Sequence, residues 1–286
     1  MNHVLGLVRV LLWPGLFGLC LVPVWLGLAA DSPALAFNAT YLALAVALAV
    51  LERLLPYERQ WLEPDGQILP DLLHTVLTKG FVQVVVLMTA VIGFADLVAT
   101  EGGAWWPRAW PIAVQVGIGL VVVEFGLYWA HRLSHEWPFL WLFHAVHHSV
   151  ERLWFFNTGR FHLVDTVVSL AFGQVLLLLA GAPGDVVIWT GAITAFIGIL
   201  THCNVDMRTG WLDYVFNTPR LHRWHHSRDP VEGNSNYGEN LMLFDLLFGT
   251  YLRPSRRPPA NIGIDEPMPA DFLGQLAQPF RRSAEP

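Results

Sequence analysis

The chain has 286 residues, of which 54% are hydrophobic and only 14% charged, and its formal net charge is −6 at pH 7. A soluble globular domain usually carries about 25% charged residues. This composition therefore excludes an ordinary soluble domain and indicates a protein embedded in a lipid bilayer.

Apolar runs of about 20 residues are long enough to cross the hydrocarbon core of a bilayer as helices. In chain order we predict six such spans, at about residues 5–29, 34–51, 72–99, 112–130, 163–180 and 185–203. The predicted fold is all-α: a polytopic membrane protein with about six transmembrane helices and a cytosolic, histidine-rich helical cap.

The basic residues predict how the chain crosses the membrane. Arg108 is the only Lys or Arg in the segments 30–34, 100–111 and 181–184. The opposite side receives Arg9, Arg53, Arg59, Arg132, Arg152, Arg160 and all nine arginines after residue 203. The positive-inside rule then places both termini and every histidine cluster in the cytoplasm.

The chain divides into three predicted regions. Residues 1–110 form an N-terminal membrane region with three spans and their links. Residues 111–253 carry three more spans and a cytosolic cap built from 131–162 and 204–252. Residues 254–286 form a Pro-rich C-terminal tail, which we expect to be loosely ordered.

Eight of the twelve histidines lie in three short motifs, HRLSH (131–135), HAVHH (144–148) and HRWHH (222–226). Residues three and four apart share a helix face, and neutral imidazole is the commonest metal ligand in proteins. Without a cation, burying so many imidazoles would cost several kcal/mol each. The motifs therefore predict two metal ions, since eight or nine nitrogens are too many for one. Imidazole suits iron, zinc, copper and nickel alike, so spacing alone leaves the metal open.

The order HxxxH, HxxHH, HxxHH resembles the fatty acid hydroxylase / sterol desaturase superfamily of integral membrane di-iron enzymes. Surrounding blocks such as YWAHRLSH, LWLFHAVHHS and NYGENLMLFDLLFGTY extend the resemblance over about residues 120–253. It implies a helical membrane base beneath a cytosolic cap that holds two iron ions. It also implies that O2 is the co-substrate and that the substrate is a lipid.

The resemblance also implies a set of metal ligands. These are His131, His135, His144, His147, His148, His222, His225 and His226, with His202 of THCN as a further ligand. His162 is either another ligand or a residue that supports the ligands or caps a helix, because Leu163 follows it where the family often has proline.

Other polar residues are predicted to act around the ligands. Glu124 lies inside the fourth span, and a carboxylate there is a functional candidate that orients a ligand or lines the substrate path. Asp165 is predicted to support His162 from the next helical turn. His74 is expected at the membrane interface. Arg220, Arg223 and Arg228 are expected either in solvent or at a docking site for an acidic electron donor.

The leading functional hypothesis is a lipid hydroxylase or monooxygenase. A desaturase of the same family would use every one of these ligands, and a histidine-cluster metal transporter or sensor is the alternative from another class. The sequence shows no GxGxxG fingerprint, cysteine cluster or haem motif, so electrons are expected from another protein. By resemblance this donor is a ferredoxin, a rubredoxin or a cytochrome of the b5 type. We expect no nucleic-acid partner. The substrate stays open among sterols, fatty acyl chains, ether lipids, aminolipids and carotenoids.

Overall fold

A computed structural model describes residues 2–85 and 106–282, and its regular elements are all helices. In chain order these are α1 (Asn2–Ala29), α2 (Pro33–Leu54), α3 (Ile68–Val85), α4 (Ile112–Glu136), α5 (Pro138–His148), α6 (Leu163–Leu179), α7 (Gly184–His202), α8 (Pro219–His225), α9 (Pro230–Gly233), α10 (Leu243–Phe248) and α11 (Phe272–Arg282). Short 3-10 turns lie at Gln60–Leu62, Phe155–Gly159 and Gly210–Tyr214.

Five helices of the described part are long and apolar enough to cross a membrane: α1, α2, α3, α4 and α7. The prediction of an all-α membrane protein is therefore confirmed. The predicted fifth span is α6, which has 17 residues and is shorter than the usual span of about 20. Residues 86–99 of the predicted third span lie outside the described residues.

Helices α4 and α6 pack backbone to backbone at Gly126. A Cβ atom on this residue would lie 1.7 Å from the carbonyl oxygen of Phe172. Small residues allow membrane helices to approach this closely. Gly119, two turns earlier on α4, similarly faces Val186 and Thr190 of α7. The glycines thus bring α4 into contact with both α6 and α7.

A hairpin of α1 and α2 packs against the outer side of α7. Its buried contacts include Trp13 and Leu48, which join Phe196 and Leu200 in one apolar cluster. Because α4 and α7 end at histidine motifs, their C-terminal ends lie at the same end of the bundle as α5 and α8. This end of the bundle carries the candidate site.

The C-terminal tail is more ordered than its composition predicts. Gln275 of α11 is fully buried and its Oε1 lies 3.0 Å from Nε2 of His74, while its amide nitrogen donates to Gln67. The His74 ring is therefore enclosed by the tail and α3, and its predicted position at the membrane interface stays a prediction. The division at residues 110 and 253 stays a prediction.

The arginines around the last histidine motif are also not uniformly solvated. Arg223 is buried, donates to the carbonyl oxygens of Cys203 and Val205, and lies over the ring of Tyr57. Because the guanidinium is buried, with Nη2 donating to two carbonyl oxygens of the protein, Arg223 is a structural residue and is not free to dock a partner.

Candidate metal centre

Nine of the ten histidines predicted as ligands come together in two adjacent groups. The five-histidine group consists of His131, His135, His144, His148 and His225. The four-histidine group consists of His147, His202, His222 and His226. Within each group, one ring nitrogen per residue lies within 4.8 Å of the corresponding nitrogens of the others.

Each HxxHH motif supplies both groups. On α5, His144 and His148 are one turn apart and join the five-histidine group, whereas His147 joins the other. At α8, His222 and His226 join the four-histidine group and His225 joins the five-histidine group. The first and last histidines of the motif are four apart and lie one above the other, and the middle histidine lies to one side of this pair. The motif is therefore suited to a pair of sites side by side.

Several ring nitrogens are separated by the distance expected of ligands to a shared ion. The Nε2 atoms of His202 and His222 lie 2.9 Å apart, and those of His222 and His226 lie 3.1 Å apart. In the other group, Nε2 of His135 and of His148 also lie 3.1 Å apart. Nitrogens bound to one metal at about 2.1 Å are themselves roughly 3 Å apart.

Six rings have their Nδ1 atoms held by oxygen acceptors. The pairs are His131 with Tyr237 O, His135 with Asn234 Oδ1, His144 with Asp165 Oδ2, His147 with Arg160 O, His202 with Asn157 Oδ1 and His225 with Ser235 O. These oxygens only accept hydrogen bonds, so Nδ1 carries the proton and Nε2 keeps a lone pair. Metal-binding histidines are oriented in this way.

Three of these Nε2 atoms are buried without a hydrogen-bond partner in the described part of the chain: those of His131, His144 and His225. Leaving such an atom unsatisfied costs about 1–3 kcal/mol. A metal ion would use their lone pairs, so the donor set fits the metal that the motifs predict.

The surroundings keep the imidazoles outside the spans in their neutral form. Burial, followed by the charges of neighbouring groups (mainly other histidines), lowers the pKa of six rings well below the ordinary value of 6.5: His144, His147, His148, His222, His225 and His226. Only the neutral form can donate a lone pair to a metal.

The two predicted carboxylates have different positions around the groups. Asp165 is buried and its Oδ2 accepts from Nδ1 of His144 at 2.9 Å, so it supports His144 where the sequence predicts His162. Glu124 is also buried and accepts the backbone N–H groups of Glu239 and Asn240. Glu124 thereby fixes the segment whose Tyr237 carbonyl orients His131.

His162 lies outside both groups. Its Nδ1 accepts from the backbone N–H of Val164, which caps the start of α6, and its Nε2 lies 3.2 Å from the carbonyl oxygen of Leu276. Both ring nitrogens therefore have partners in the protein. Of the two roles that the sequence allows this residue, the structure places it in the capping one.

Apart from Asp165, the groups that orient the rings were not predicted from the sequence. Asn157 and Arg160 lie in NTGRF, and Asn234, Ser235 and Tyr237 lie in NSNYG. Three of these contacts use backbone carbonyls, for which no residue type is a signal. Only the polar character of the two stretches could have indicated them.

A cavity of about 710 Å3 opens onto the histidines. His147, His202 and His222 form one end, and the lining continues along α7 to Val187 and along α2 to Pro33. At 1.5 Å per residue the stretch from Val187 to His202 is about 22 Å long. This exceeds half of the ~30 Å hydrocarbon core, so the cavity is long enough for a lipid chain.

Comparisons with known proteins agree with this site. The profile of the fatty acid hydroxylase family matches residues 116–250. The chain is similar to the ornithine lipid hydroxylase OlsE of Rhizobium tropici, with 51% identity over 277 residues, which cover 95% of this chain and 84% of the relative. The alkylglycerol monooxygenase of Danio rerio is 30% identical over 158 residues, or 55% of this chain and 32% of the relative. No solved structure gives a significant match.

The fold and the site define a helical membrane protein with two adjacent histidine groups, one of which closes the end of a lipid-sized cavity. The similarity to OlsE covers 95% of this chain and identifies the family within this class of protein. The chain belongs to the fatty acid hydroxylase family.

Proposed function

We propose that this protein is a membrane-bound di-iron oxygenase that hydroxylates a lipid, and that the lipid is an aminolipid of the ornithine-lipid type. One observation carries the proposal: nine imidazoles form two adjacent groups, and three of them, His147, His202 and His222, close the end of a chain-length cavity. The similarity to an ornithine lipid hydroxylase supports the substrate class.

Two iron ions, when bound by the two groups, would supply the O2 activation that no amino-acid side chain provides. The chain's own contribution is position and exclusion of water. Asp165, Asn157 and the carbonyls described above hold the rings, and the buried walls of the cavity hold the lipid. The relatives are named hydroxylase and monooxygenase, which favours hydroxylation over desaturation.

We further propose that the histidine end faces the cytoplasm and receives electrons from a ferredoxin, a rubredoxin or a cytochrome of the b5 type. The positive-inside rule supports this orientation. Arg9, near the start of α1, pairs with Asp206 beyond the end of α7, so this basic residue lies at the histidine end. A cytoplasmic donor would then reach the site without crossing the membrane.

The first experiment measures metal and oxygen together. Protein purified from iron-replete cells should contain two iron ions per chain, one for each histidine group, and its Mössbauer spectrum should show a coupled pair. Turnover under 18O2 should place one labelled oxygen atom in the lipid. A desaturated product without label would identify a desaturase, and zinc alone at full occupancy would contradict the iron proposal.

The second experiment removes one ligand. His225→Ala should lower turnover by about a hundredfold or more, because second-shell changes alone cost 10- to 100-fold, and it should lower bound iron. His162→Ala is the matched control, since it removes a buried histidine outside both groups. It should retain its iron. Wild-type turnover in His225→Ala would contradict the ligand assignment.

A further inference from the structure

The cavity contains two opposite charges that the histidine groups do not explain. Lys79 of α3 and Glu239, in the segment before α10, both line it together with His147, His202 and His222. Lys79 is the only lysine of the chain. It lies in the stretch His74–Phe81, which is wound as a π-helix, and π-helical turns are frequent at functional sites.

The ammonium of Lys79 has no carboxylate within 4.0 Å among the described residues. It lies 4.1 Å from the centroid of the Phe161 ring, and this ring stacks on the candidate ligand His147. A lysine inside a span is costly unless it lines a polar pathway or meets an anion. The position of Lys79 therefore indicates an anionic group on the ligand of the cavity.

The opposite charge has a second acceptor beside it. Glu239 lies 3.6 Å from Nδ1 of His131, which already donates to the carbonyl oxygen of Tyr237 at 2.8 Å. Asn217, only 2% exposed, also lines the cavity. Its amide nitrogen donates to Gly238, which leaves its Oδ1 buried without a partner in the described part of the chain. A carboxylate and an unpaired carbonyl oxygen together suit an ammonium group.

We propose that Lys79 binds a carboxylate of the lipid head and that Glu239, with Asn217, binds its ammonium group. This rests on the proposed function and names the feature by which the site selects its lipid. An ornithine head whose α-amino group is acylated carries one carboxylate and one ammonium, so it matches both positions. The acyl chains extend away from the histidines along α7. The three residues are positioning residues and exchange neither protons nor electrons with the lipid.

The test uses metal-loaded protein in nanodiscs. It compares the affinity of the wild type and of its variants for three related lipids. The lipids are an ornithine lipid, its carboxyl methyl ester and its N-acetyl derivative at the terminal amine. The variants are Lys79→Met, Lys79→Arg and Glu239→Gln. Arg53→Met removes an exposed positive charge outside the cavity and serves as the control. Lipid affinity is measured by tryptophan fluorescence, alongside KM, kcat and bound metal.

The wild type should bind the free acid about ten- to a hundredfold more tightly than the methyl ester, as expected for a hydrogen bond to a charged group. Lys79→Met should bind both lipids with the affinity of the ester, with KM changed more than kcat and bound metal unchanged. Lys79→Arg should recover most of the preference. Glu239→Gln should lose the preference for the free amine over the N-acetyl lipid, and Arg53→Met should behave as the wild type.

Equal wild-type affinity for acid and ester would overturn the proposal, as would a Lys79→Met variant that weakens both lipids equally. Its failure is distinguishable from failure of the proposed function. If the wild type discriminates between the lipids but oxidises neither, the head-group proposal stands and the oxygenase proposal fails. If the wild type oxidises the acid and the ester equally well, the oxygenase proposal stands and the head-group proposal fails.

Discussion

Asp165 shows how a single side chain prepares a ring for metal. Its carboxylate accepts from Nδ1 of His144 at 2.9 Å, and both residues are buried. The proton is thereby held on Nδ1, and the lone pair of Nε2 faces the other four histidines of its group. Carbonyl oxygens do the same for His131, His147 and His225. At the residue scale, most of the ordering of the site therefore comes from acceptors outside the histidine motifs.

Asp165→Asn should weaken metal binding in the five-histidine group by about 10- to 100-fold, because a neutral amide holds His144 less firmly. The four-histidine group does not include His144, so half of the metal should become easy to chelate while the other half stays bound. Timed chelation followed by elemental analysis measures this. Asp206→Asn, which changes only a partly exposed ion pair with Arg9, is the control. Equal loss from both groups would contradict the assignment.

At the element scale, the close contact of α4 with α6 sets where His131 and His135 lie. Gly126 precedes His131 on α4 and touches the backbone of α6 at Phe172. Because the two helices have no space for a Cβ atom here, their separation depends on this glycine. The position of the HRLSH motif relative to Asp165 on α6 depends on the same contact.

Gly126→Ala should destabilise the protein by about 1–3 kcal/mol, the usual cost of overpacking, because its Cβ would overlap the Phe172 carbonyl. Gly117→Ala is a control on the same helix, since nothing lies within 4 Å of its added Cβ. Its effect should be small or stabilising, as alanine favours the helix. Denaturation in detergent compares the two variants. Equal stability of both would show that the contact is looser than described.

At the scale of the whole molecule, the cavity runs along α7 from Val187 to the four-histidine group. Its lining combines residues of α2, α3, α4, α6 and α7, so no single element contains it. Gly191 lies on α7 about 16 Å along the helix from His202. It lines the cavity, and nothing lies within 4 Å of a Cβ atom built on it.

Gly191→Phe should therefore shorten the cavity and change the preferred length of the lipid chain. Turnover of long-chain lipids should fall about tenfold or more, as for a substrate that no longer fits its apolar pocket, while short-chain lipids are still oxidised. Gly117→Phe, outside the cavity, should leave the chain-length profile unchanged. Product analysis by mass spectrometry over a series of chain lengths tests this. An unchanged profile in Gly191→Phe would show that the chain follows another route.

Residue order alone predicted the helical membrane class and eight of the nine histidines that come together, whereas His202 was predicted only from the resemblance to the family. Hydrophobic run length and i, i+3, i+4 spacing are local properties, and both are written directly in the residue order. Glu124 was predicted to be functional because a charged residue within a span is unusual. Lys79 is a comparable signal, but no function was predicted for it.

The tertiary structure divides the histidines into groups of five and four, because each group combines rings from helices far apart in the chain. It also placed Asp165 on His144, His162 at a helix start and Gln275 against His74. These contacts depend on helix packing and on backbone carbonyls, which every residue has. Residue types therefore cannot predict these contacts. A backbone carbonyl or a single lysine becomes part of the site only because the fold places it beside the histidines.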